Sequence, residues 1–529
     1  MKAVMASVLL AGVVSGCGGG AEAPALPAAP VVPAITAGPD PLLAAQWHLF
    51  NTGQGGGWPG MDLGLQGVTQ TGRGVLLAFI DGAVQIGHPD LVGNLHVLNG
   101  FLTAPDPSAP TAPPGAPYND RAGEWDDAHG TAVVGIAVAS AGNSLGGRGV
   151  APQARFVAFD GLSKGQIAAS LRSATVLGAD IVNNSWGTLD AGLGQGASYR
   201  AADPAWRQAL DEALAQGRQG KGAVVVFAAG NGGRSDDSNR DGYANQPGVL
   251  AVAAVDALGR PPAYAEPGTN VLVSAPSGNS LGSAGATSGI WTTDIAGPRG
   301  LSGGALASTA DYAAFPAGTS ASVPMVSGVV ALMLQANPAL SWRDVRWLLA
   351  RTARPADLGA LAAEASPMNA HGFHPLVGLG RVHAGDAVAA AGRFAGLPVQ
   401  RRCDSGFLPV ELPIGDAPAP ALAQAHRFAD CAIRVVESVE VTVQADHPYG
   451  ADLQIELTSP VDNRSLLARP HFCSAALQGP CGDLGTGWTF HSLRHMGELA
   501  SGPWRLQVQD MQQGDAGRWV AWRLVLTGH

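Results

Sequence analysis

Three residues that together can hydrolyse an amide bond stand at the ends of apolar segments of this chain. Asp81 closes the apolar run from Val75 to Ile80, and His129 and Ser320 each open an apolar helical pattern. A serine hydroxyl is a poor nucleophile until an imidazole takes its proton, and the imidazole needs a carboxylate to fix its tautomer and stabilise its charge. These residues predict acyl transfer, with Ser320 as nucleophile, His129 as base and Asp81 as the orienting carboxylate.

Asn231 adds a fourth group, because its side-chain amide follows another apolar run and can donate to an oxyanion. The start of a helix supplies further unpaired N–H groups around Ser320. Each residue alone has an ordinary explanation: Asp81 or Ser320 as a helix cap, His129 as a core histidine. Four together at element ends favour one active site.

The elements that must position these residues alternate between short buried strands and helices from residue 40 to about 390. This alternation predicts an α/β fold with a parallel sheet flanked by helices, and functional groups gather at strand ends in such sheets. The predicted strands are Val75–Ile80, Phe156–Phe159, Asp180–Asn183, Ala223–Ala229, Val249–Val255 and Val271–Ser274. The predicted helices are His129–Ser140, Pro204–Gln216, Ser320–Gln335 and Ser341–Arg351.

After residue 395 the spacing of apolar residues changes from a helical period to a period of two. Alternation in Ile433–Val443, Leu453–Leu457 and Trp504–Val508 predicts strands with one buried face. We therefore expect an all-β sandwich or jelly roll over residues 396–529, after a peptidase domain over 40–395.

The N-terminal region predicts export. Residues 1–16 form a short apolar signal, and Val14-Ser15-Gly16-Cys17 resembles the bacterial lipobox, which implies a lipid anchor at Cys17 and a cell-envelope location. An ordinary signal peptide is the alternative. Residues 17–39 are rich in Gly, Ala and Pro and predict a loose tether.

Charge and cysteine content narrow the function further. A formal charge of −10 without a basic patch argues against nucleic-acid binding and favours cationic substrates or metal ions. The absence of zinc-type His and Cys spacings argues against zinc. Cys403, Cys431, Cys473 and Cys481 allow three pairings, of which we favour the sequential one, Cys403 with Cys431 and Cys473 with Cys481.

The order Asp, His, Asn, Ser with these flanking sequences resembles the subtilisin superfamily over residues 40–390. Finer matches resemble its kexin and furin branch: Asp40-Pro-Leu-Leu-Ala-Ala-Gln-Trp-His-Leu, Ser185-Trp186-Gly187, and the runs Gly-Asn-Gly-Gly-Arg-Ser-Asp-Asp and Gly-Thr-Ser-Ala-Ser. His447-Pro-Tyr-Gly-Ala-Asp and Gly502-Pro-Trp-Arg-Leu resemble the P domain of those proteases. The resemblance implies a serine endopeptidase acting on protein or peptide substrates.

The resemblance also implies a substrate pocket. Asp190 and Asp241 match acids that bind the basic side chain before the cut bond, and Ser185, Trp186 and Gly187 match the adjoining substrate-binding segment. Gly82 and Ala168 stand where eukaryotic members place acids for further basic residues. We therefore expect cleavage after a single Arg or Lys. Asp190 and Asp241 as solvated loop acids, in a protease of broad apolar preference, are the alternative.

Calcium is the cofactor that the resemblance implies. Asp40, Asp90 and Asn143 match side-chain ligands of a strong site, with backbone oxygens from Ser140, Leu145 and Gly147. Asp190 and Asp237 match a second site, whose third ligand would be Asn270 or Glu266.

Two expectations concern partners. Subtilisins are usually made with a long pro-segment, whereas residues 17–39 offer a short tether, so we expect either a separate folding chaperone or a larger folding role for the P domain. A catalytically silent surface-binding lipoprotein is the rival from outside the enzymes.

Overall fold

The structure is a computed structural model that describes residues 38–96, 125–162, 165–188, 198–279, 289–296, 300–301, 311–315, 317–359, 364–471 and 484–529. The predicted signal, the lipid anchor at Cys17 and nearly all of the tether lie outside these residues. So do Asp190, Cys473 and Cys481.

A parallel sheet forms the centre of the first unit. Within the described ranges it has six strands in the order β2-β1-β3-β4-β5-β6. Helices cover both faces, which explains why the strands are continuously apolar rather than alternating. The strands are β1 (Leu76–Asp81), β2 (Arg155–Asp160), β3 (Ile181–Asn184), β4 (Val224–Ala228), β5 (Val249–Val255) and β6 (Val271–Pro276).

Alternate residues of β1 enter two different cores. Leu77 and Phe79 pack with helices α1 and α4, whereas Ala78 and Ile80 pack on the opposite face with α2 and α3. The helices are α1 (Trp125–Val138), α2 (Ile167–Val176), α3 (Pro204–Gly220), α4 (Thr319–Ala336), α5 (Trp342–Thr352) and α6 (Ala384–Ala391). The predicted α/β fold class is confirmed.

Two helix starts are informative. Ser341 and Asp344 form the expected reciprocal cap of α5. Helix α1 begins at Trp125, so His129 lies in its second turn rather than at its start. The prediction of a start at His129 was wrong because it followed the apolar pattern, which begins only at Ala128, and a first turn needs no apolar residue.

Helix α4 is apolar enough to span a membrane by composition, but 83% of that stretch is buried inside the fold. Pro324 lies in its second turn and removes the helical hydrogen bond to the Ser320 carbonyl, which accepts the Ser185 hydroxyl instead. The helix is therefore the core helix of the domain, and it carries Ser320 near its N-terminus.

The C-terminal unit consists of two antiparallel four-stranded sheets in the described residues, ordered β11-β18-β13-β16 and β12-β17-β14-β15. Their inner faces share one apolar core, so the predicted all-β unit is confirmed. Its strands are β11 (Arg401–Ile414), β12 (Leu422–His426), β13 (Val436–Asp446), β14 (Leu453–Thr458), β15 (Arg464–Ala468), β16 (Trp488–Ser492), β17 (Trp504–Asp510) and β18 (Gly517–Gly528). Two small antiparallel pairs of strands precede it, β7 (Ile290–Thr293) with β8 (Tyr312–Phe315), and β9 (Glu364–Ser366) with β10 (Asn369–Phe373). A disulfide joins Cys403 to Cys431, as expected.

Candidate active site

Asp81 and His129 are in direct contact where β1 ends. His129 Nδ1 lies 2.7 Å from Asp81 Oδ1, and both residues are buried. The same carboxylate oxygen accepts the amide of Gly82 at 2.8 Å. With Nδ1–H directed at the carboxylate, Nε2 is the imidazole atom that can take up a proton.

Asn231 and Ser320 meet at the N-terminus of α4. Asn231 Oδ1 accepts the Thr319 amide at 2.8 Å and the Thr319 hydroxyl at 3.1 Å, which fixes the orientation of the side-chain amide. A Cβ on Gly318 would lie 3.8 Å from Ser320 N and 3.9 Å from Asn231 Nδ2, so both donors border the same space. Gly318 has φ +115°, a conformation that favours glycine. The two N–H groups can therefore serve one oxyanion.

The segment from Ser185 to Thr188 links the nucleophile to the predicted pocket. Ser185 and Ser320 exchange hydrogen bonds, since the hydroxyl of each donates to the carbonyl of the other at 3.0 Å. Trp186 Nε1 donates to the Ile80 carbonyl at 2.8 Å, next to Asp81. The three predicted residues of this segment thus connect β1, α4 and the pocket.

Asp241 lies at the far end of that segment. Its Oδ2 accepts the Thr188 amide at 2.7 Å, and its Oδ1 accepts the amides of Tyr243 and Ala244 at 2.6 and 3.1 Å. A Cβ on Gly187 would lie 2.6 Å from Asp241 Oδ2, so glycine keeps access to the carboxylate open. Burial raises the pKa of Asp241, and the hydrogen bonds oppose that shift.

No arginine or lysine of the described ranges pairs with Asp241, which leaves this half-buried carboxylate without an internal counter-ion among them. Thr188 was missed by the sequence reasoning, although a polar residue directly after Ser-Trp-Gly was an available signal. Asp190 is outside the described residues, so its place in the pocket stays a prediction.

The structure brings together the three side chains predicted for the strong calcium site. Asp40 accepts the amides of Gly142 and Asn143, and Asn143 Nδ2 donates to Asp90 Oδ1 at 2.7 Å. Two hydrogen bonds hold the surrounding loop: Ser140 N donates to the Asp90 carbonyl at 3.0 Å, and Leu145 N donates to Asn143 Oδ1 at 3.0 Å. Gly147 follows in the same loop.

A cation fits this cluster. Asp90 Oδ2 is buried and has no partner in good hydrogen-bonding geometry within the described part of the chain, although the nearby Tyr312 hydroxyl favours its charged form. Burial, and then the neighbouring charge of Asp40, raises the pKa of Asp90 to about 7. Carboxylate and loop carbonyl oxygens are the ligands that Ca²⁺ prefers.

The residues predicted for a second calcium site are arranged differently. Asp237 Oδ1 accepts the Asn239 amide at 3.0 Å, and its Oδ2 lies 3.6 Å from Arg469 Nη1 in the C-terminal unit. Arg240 Nη1 lies 3.6 Å from Asp236 Oδ1. Burial raises the pKa of Asp237, and the two arginines oppose that shift.

Glu266 and Asn270 are the two candidates for the third ligand. Glu266 offers a carboxylate, which lies close to that of Asp236. A Cβ on Gly232 would lie 2.7 Å from Asp236 Oδ2 and 3.0 Å from Glu266 Oε1. Asn270 instead donates its side-chain amide to Ser238 and Ala244. A calcium ion shared by Asp190 and Asp237 stays a prediction.

Asp81 contacts His129, and Asn231 lies beside the start of α4, which carries Ser320; these are the residue types of a Ser-His-Asp hydrolase with an oxyanion donor. Residues 72–380 match the Subtilase family and residues 436–526 match the Proprotein convertase P-domain. The chain therefore belongs to the subtilase family, in the form that carries a P domain.

Similar proteins include convertases and bacterial proteases. "Calcium-dependent protease" of Trichormus variabilis is 33% identical, covering 89% of this chain and 69% of that protein. "Neuroendocrine convertase 2" of Bos taurus is 29% identical, covering 92% and 74%. A "PC3-like endoprotease" of Hydra vulgaris is 31% identical over 90% of this chain, which spans 64% of that relative's length.

Among solved structures, a serine protease of Aeromonas sobria has a TM-score of 0.76 at 26% identity, covering 93% of this chain and 96% of the other. The same protease in complex with the chaperone ORF2 has a TM-score of 0.75 at 26% identity, with coverage of 93% and 95%.

Proposed function

We propose that this chain is an exported serine endopeptidase that cleaves proteins after Arg or Lys. The observation that carries the hydrolase assignment is the 2.7 Å contact between Asp81 and His129, in a fold that also aligns Asn231 with the amide of Ser320.

In the proposed mechanism, Ser320 Oγ attacks the scissile carbonyl carbon while His129 Nε2 takes its proton. Asp81 holds Nδ1–H and stabilises the imidazolium. The Ser320 amide and Asn231 Nδ2 bind the oxyanion of the tetrahedral intermediate. The C–N bond then breaks as His129 returns the proton to the leaving amine, and water cleaves the acyl ester by the same route in reverse.

A fluorophosphonate probe tests this mechanism, because it forms a covalent bond only with an activated serine. Wild-type protein should be labelled and Ser320→Ala should not, with peptidase activity lower by about 10⁶-fold. Absence of labelling in folded wild-type protein would favour the surface-binding alternative.

Basic specificity is supported by the environment of Asp241. The carboxylate is half-buried beside Gly187, which has no side chain to block it, and no internal cation in the described residues neutralises it. A guanidinium or ammonium guest would form a charge-assisted hydrogen bond there and offset the cost of burial.

A peptide library that varies the residue before the cut bond tests this specificity. Asp241→Asn should lower kcat/KM for Arg peptides by about 10²-fold, corresponding to loss of a desolvated ion pair, and change Met peptides little. Asp256→Asn is the matched control, because Asp256 also accepts loop amides, from Leu258 and Arg260. Equal turnover after Leu and Arg in the wild type would favour the broad apolar alternative.

Calcium enters the proposal through the Asp40, Asp90 and Asn143 cluster. Those side chains and the loop carbonyls of Ser140–Gly147 would hold the ion, which would supply positive charge that ties Asp90 and the loop after α1 to the N-terminal segment. The relative from Trichormus variabilis is itself named a calcium-dependent protease.

Export and anchoring rest on the sequence of residues 1–17. Metabolic labelling with a fatty-acid analogue should mark the wild type and not Cys17→Ser, with the protein in the membrane fraction only in the first case. If the wild-type protein is exported in soluble form without the label, the result would favour the alternative, an ordinary signal peptide.

We also propose a separate folding chaperone, supported by the solved complex of the Aeromonas sobria protease with its chaperone. Denatured protein refolded alone should recover little activity, and co-expressed chaperone candidates should raise the yield. Full recovery without a helper would contradict this proposal.

A further inference from the structure

The pocket acid Asp241 lies in a segment whose two ends are fixed to the P domain. Asn239 and Asn245 flank it, and both asparagines are buried. Asn239 Nδ2 donates to the His491 carbonyl at 2.8 Å, and Asn245 Nδ2 donates to the Thr489 carbonyl at 2.7 Å. Asn245 Oδ1 accepts the His491 amide at 2.9 Å.

These bonds use the outer edge of a sheet. In the described residues β16 pairs with β13 alone, so its other edge presents backbone N–H and C=O groups that need partners. The asparagine side chains supply amide donors and acceptors at alternate positions, 489 and 491, as a neighbouring strand would. Trp488 Nε1 adds a bond to the Asn239 carbonyl at 2.9 Å. We call this contact the Asn seam.

The two asparagines also bind each other, Asn239 Nδ2 to Asn245 Oδ1 at 2.8 Å. Asn239 Oδ1 accepts the Thr269 amide at 2.6 Å, and Thr269 Oγ1 donates to the His491 carbonyl at 2.9 Å. The P domain therefore holds the segment from 239 to 245 on one side. On the other side, Asp241 Oδ2 accepts a hydrogen bond from the Thr188 amide.

We infer that Asn239 and Asn245 are positioning residues through which strand β16 of the P domain sets the place of Asp241, and with it the preference for a basic substrate side chain. The inference rests on the proposed specificity. Asn245 N donates to the Asp241 carbonyl at 3.0 Å, so a shift of Asn245 moves the acid directly. A displacement of about 1 Å in a binding group can cost on the order of 10²-fold in rate.

The test compares Arg and Met peptides on full-length Asn245→Ala. The kcat/KM for the Arg peptide should fall by about tenfold or more, mainly through a higher KM. A fall of this size lies within the roughly 10²-fold loss that a misplaced binding group can cause. The Met peptide and the rate of fluorophosphonate labelling should change less than about twofold, because the triad makes no contact with the Asn seam. Inhibition by benzamidine, a small cationic guest of the pocket, should weaken in parallel with the Arg peptide.

Asn369→Ala is the matched control. Like Asn245, Asn369 accepts two N–H groups with its side-chain oxygen and donates to backbone carbonyls, here those of Ala350 and Leu379, but it contacts α5 rather than the pocket. It should lower stability without changing the Arg-to-Met ratio. If Asn245→Ala does not fold, Trp488→Phe removes one seam bond while keeping an aromatic ring beside Tyr199, and a smaller fall in the ratio is expected.

Two failures are distinguishable. A wild-type enzyme without preference for Arg would contradict the proposed specificity itself. A wild type that prefers Arg, together with folded Asn245→Ala and Trp488→Phe proteins that keep the same ratio and the same benzamidine inhibition, would overturn the positioning role.

Discussion

Two buried groups of acids in the described residues differ in how their negative charge is compensated. At the first, Asp40 and Asp90 have no ion pair with an arginine or lysine within the described ranges, and the pKa of Asp90 rises to about 7. At the second, Asp236 and Asp237 face Arg240 and Arg469. Burying a carboxylate is costly unless a cation or proton compensates it. The first group therefore needs a cation or a proton from the solvent. In the second group, the two arginines neutralise at least part of the carboxylate charge.

The largest expected effect comes from removing calcium, which should act through the first group. Chelation by EDTA should lower stability by about 2.7 kcal/mol if calcium was present at 100 times its dissociation constant. For a domain of this size the melting temperature should fall by about 3–5 °C, as measured by calorimetry.

Two variants decide where that effect originates. Asp90→Asn should abolish the response to EDTA, and Asp237→Asn should keep it. An unchanged melting temperature in EDTA would remove calcium from the account, and loss of the response in Asp237→Asn would mean that the second group also holds an ion.

The next effect tests the internal cation of the second group. Arg469→Met should destabilise the protein by about 1–3 kcal/mol, since it removes a partner from buried Asp237. The control is Arg464→Met, whose ion pair with Glu456 is exposed and should be worth less than about 1 kcal/mol. Urea unfolding at fixed calcium measures both.

A double variant sharpens this result. Asp237→Asn combined with Arg469→Met should recover much of the stability, because the carboxylate that needed the arginine is gone. No recovery would show that Arg469 acts through packing rather than charge.

The smallest effect is a pH response of the Asn seam, measured in EDTA so that calcium contributes nothing. Burial lowers the pKa of His491 to about 3, with a further contribution from Arg346. The folded protein keeps this imidazole neutral while the unfolded chain takes up a proton below about pH 6.5, so the contribution of His491 to stability falls as the pH drops below 6.5. That contribution should have a slope of about 1.4 kcal/mol per pH unit at most. Buried His48, with its pKa lowered to about 3, adds to the fall, and Asp90, with its pKa raised to about 7, opposes it.

His491→Phe should flatten this slope between pH 6.5 and 5, and His426→Phe, at a half-exposed histidine of the same unit, should flatten it less. An equal slope in wild-type and His491→Phe proteins would mean that other groups dominate the acid response.

Much of the fold was predictable because burial on two faces leaves a simple pattern. Strand β5 has the predicted bounds, Val249–Val255, and the cap at Ser341 was readable from two residues. The contact of Asp81 with His129 and that of Asn231 with the start of α4 were predictable because all four predicted residues lie in motifs, and Asp81, Asn231 and Ser320 also stand near the ends of elements.

The Asn seam left no comparable trace. Asn239 and Asn245 bind backbone atoms that lie 252 and 244 residues away, and a backbone carbonyl has no residue type to recognise. The ion pair of Asp237 with Arg469 was missed for a similar reason, since charges on a loop are usually solvated. Long-range polar contacts of this kind become visible only when the two units are packed.

Because Asn239 and Asn245 bind the main chain of β16, these bonds set no requirement on the side-chain types at positions 489 and 491. Proline is the exception at position 491, since it has no N–H to offer Asn245. Other replacements at these two positions should therefore leave the two units connected, whereas replacement of either asparagine should not.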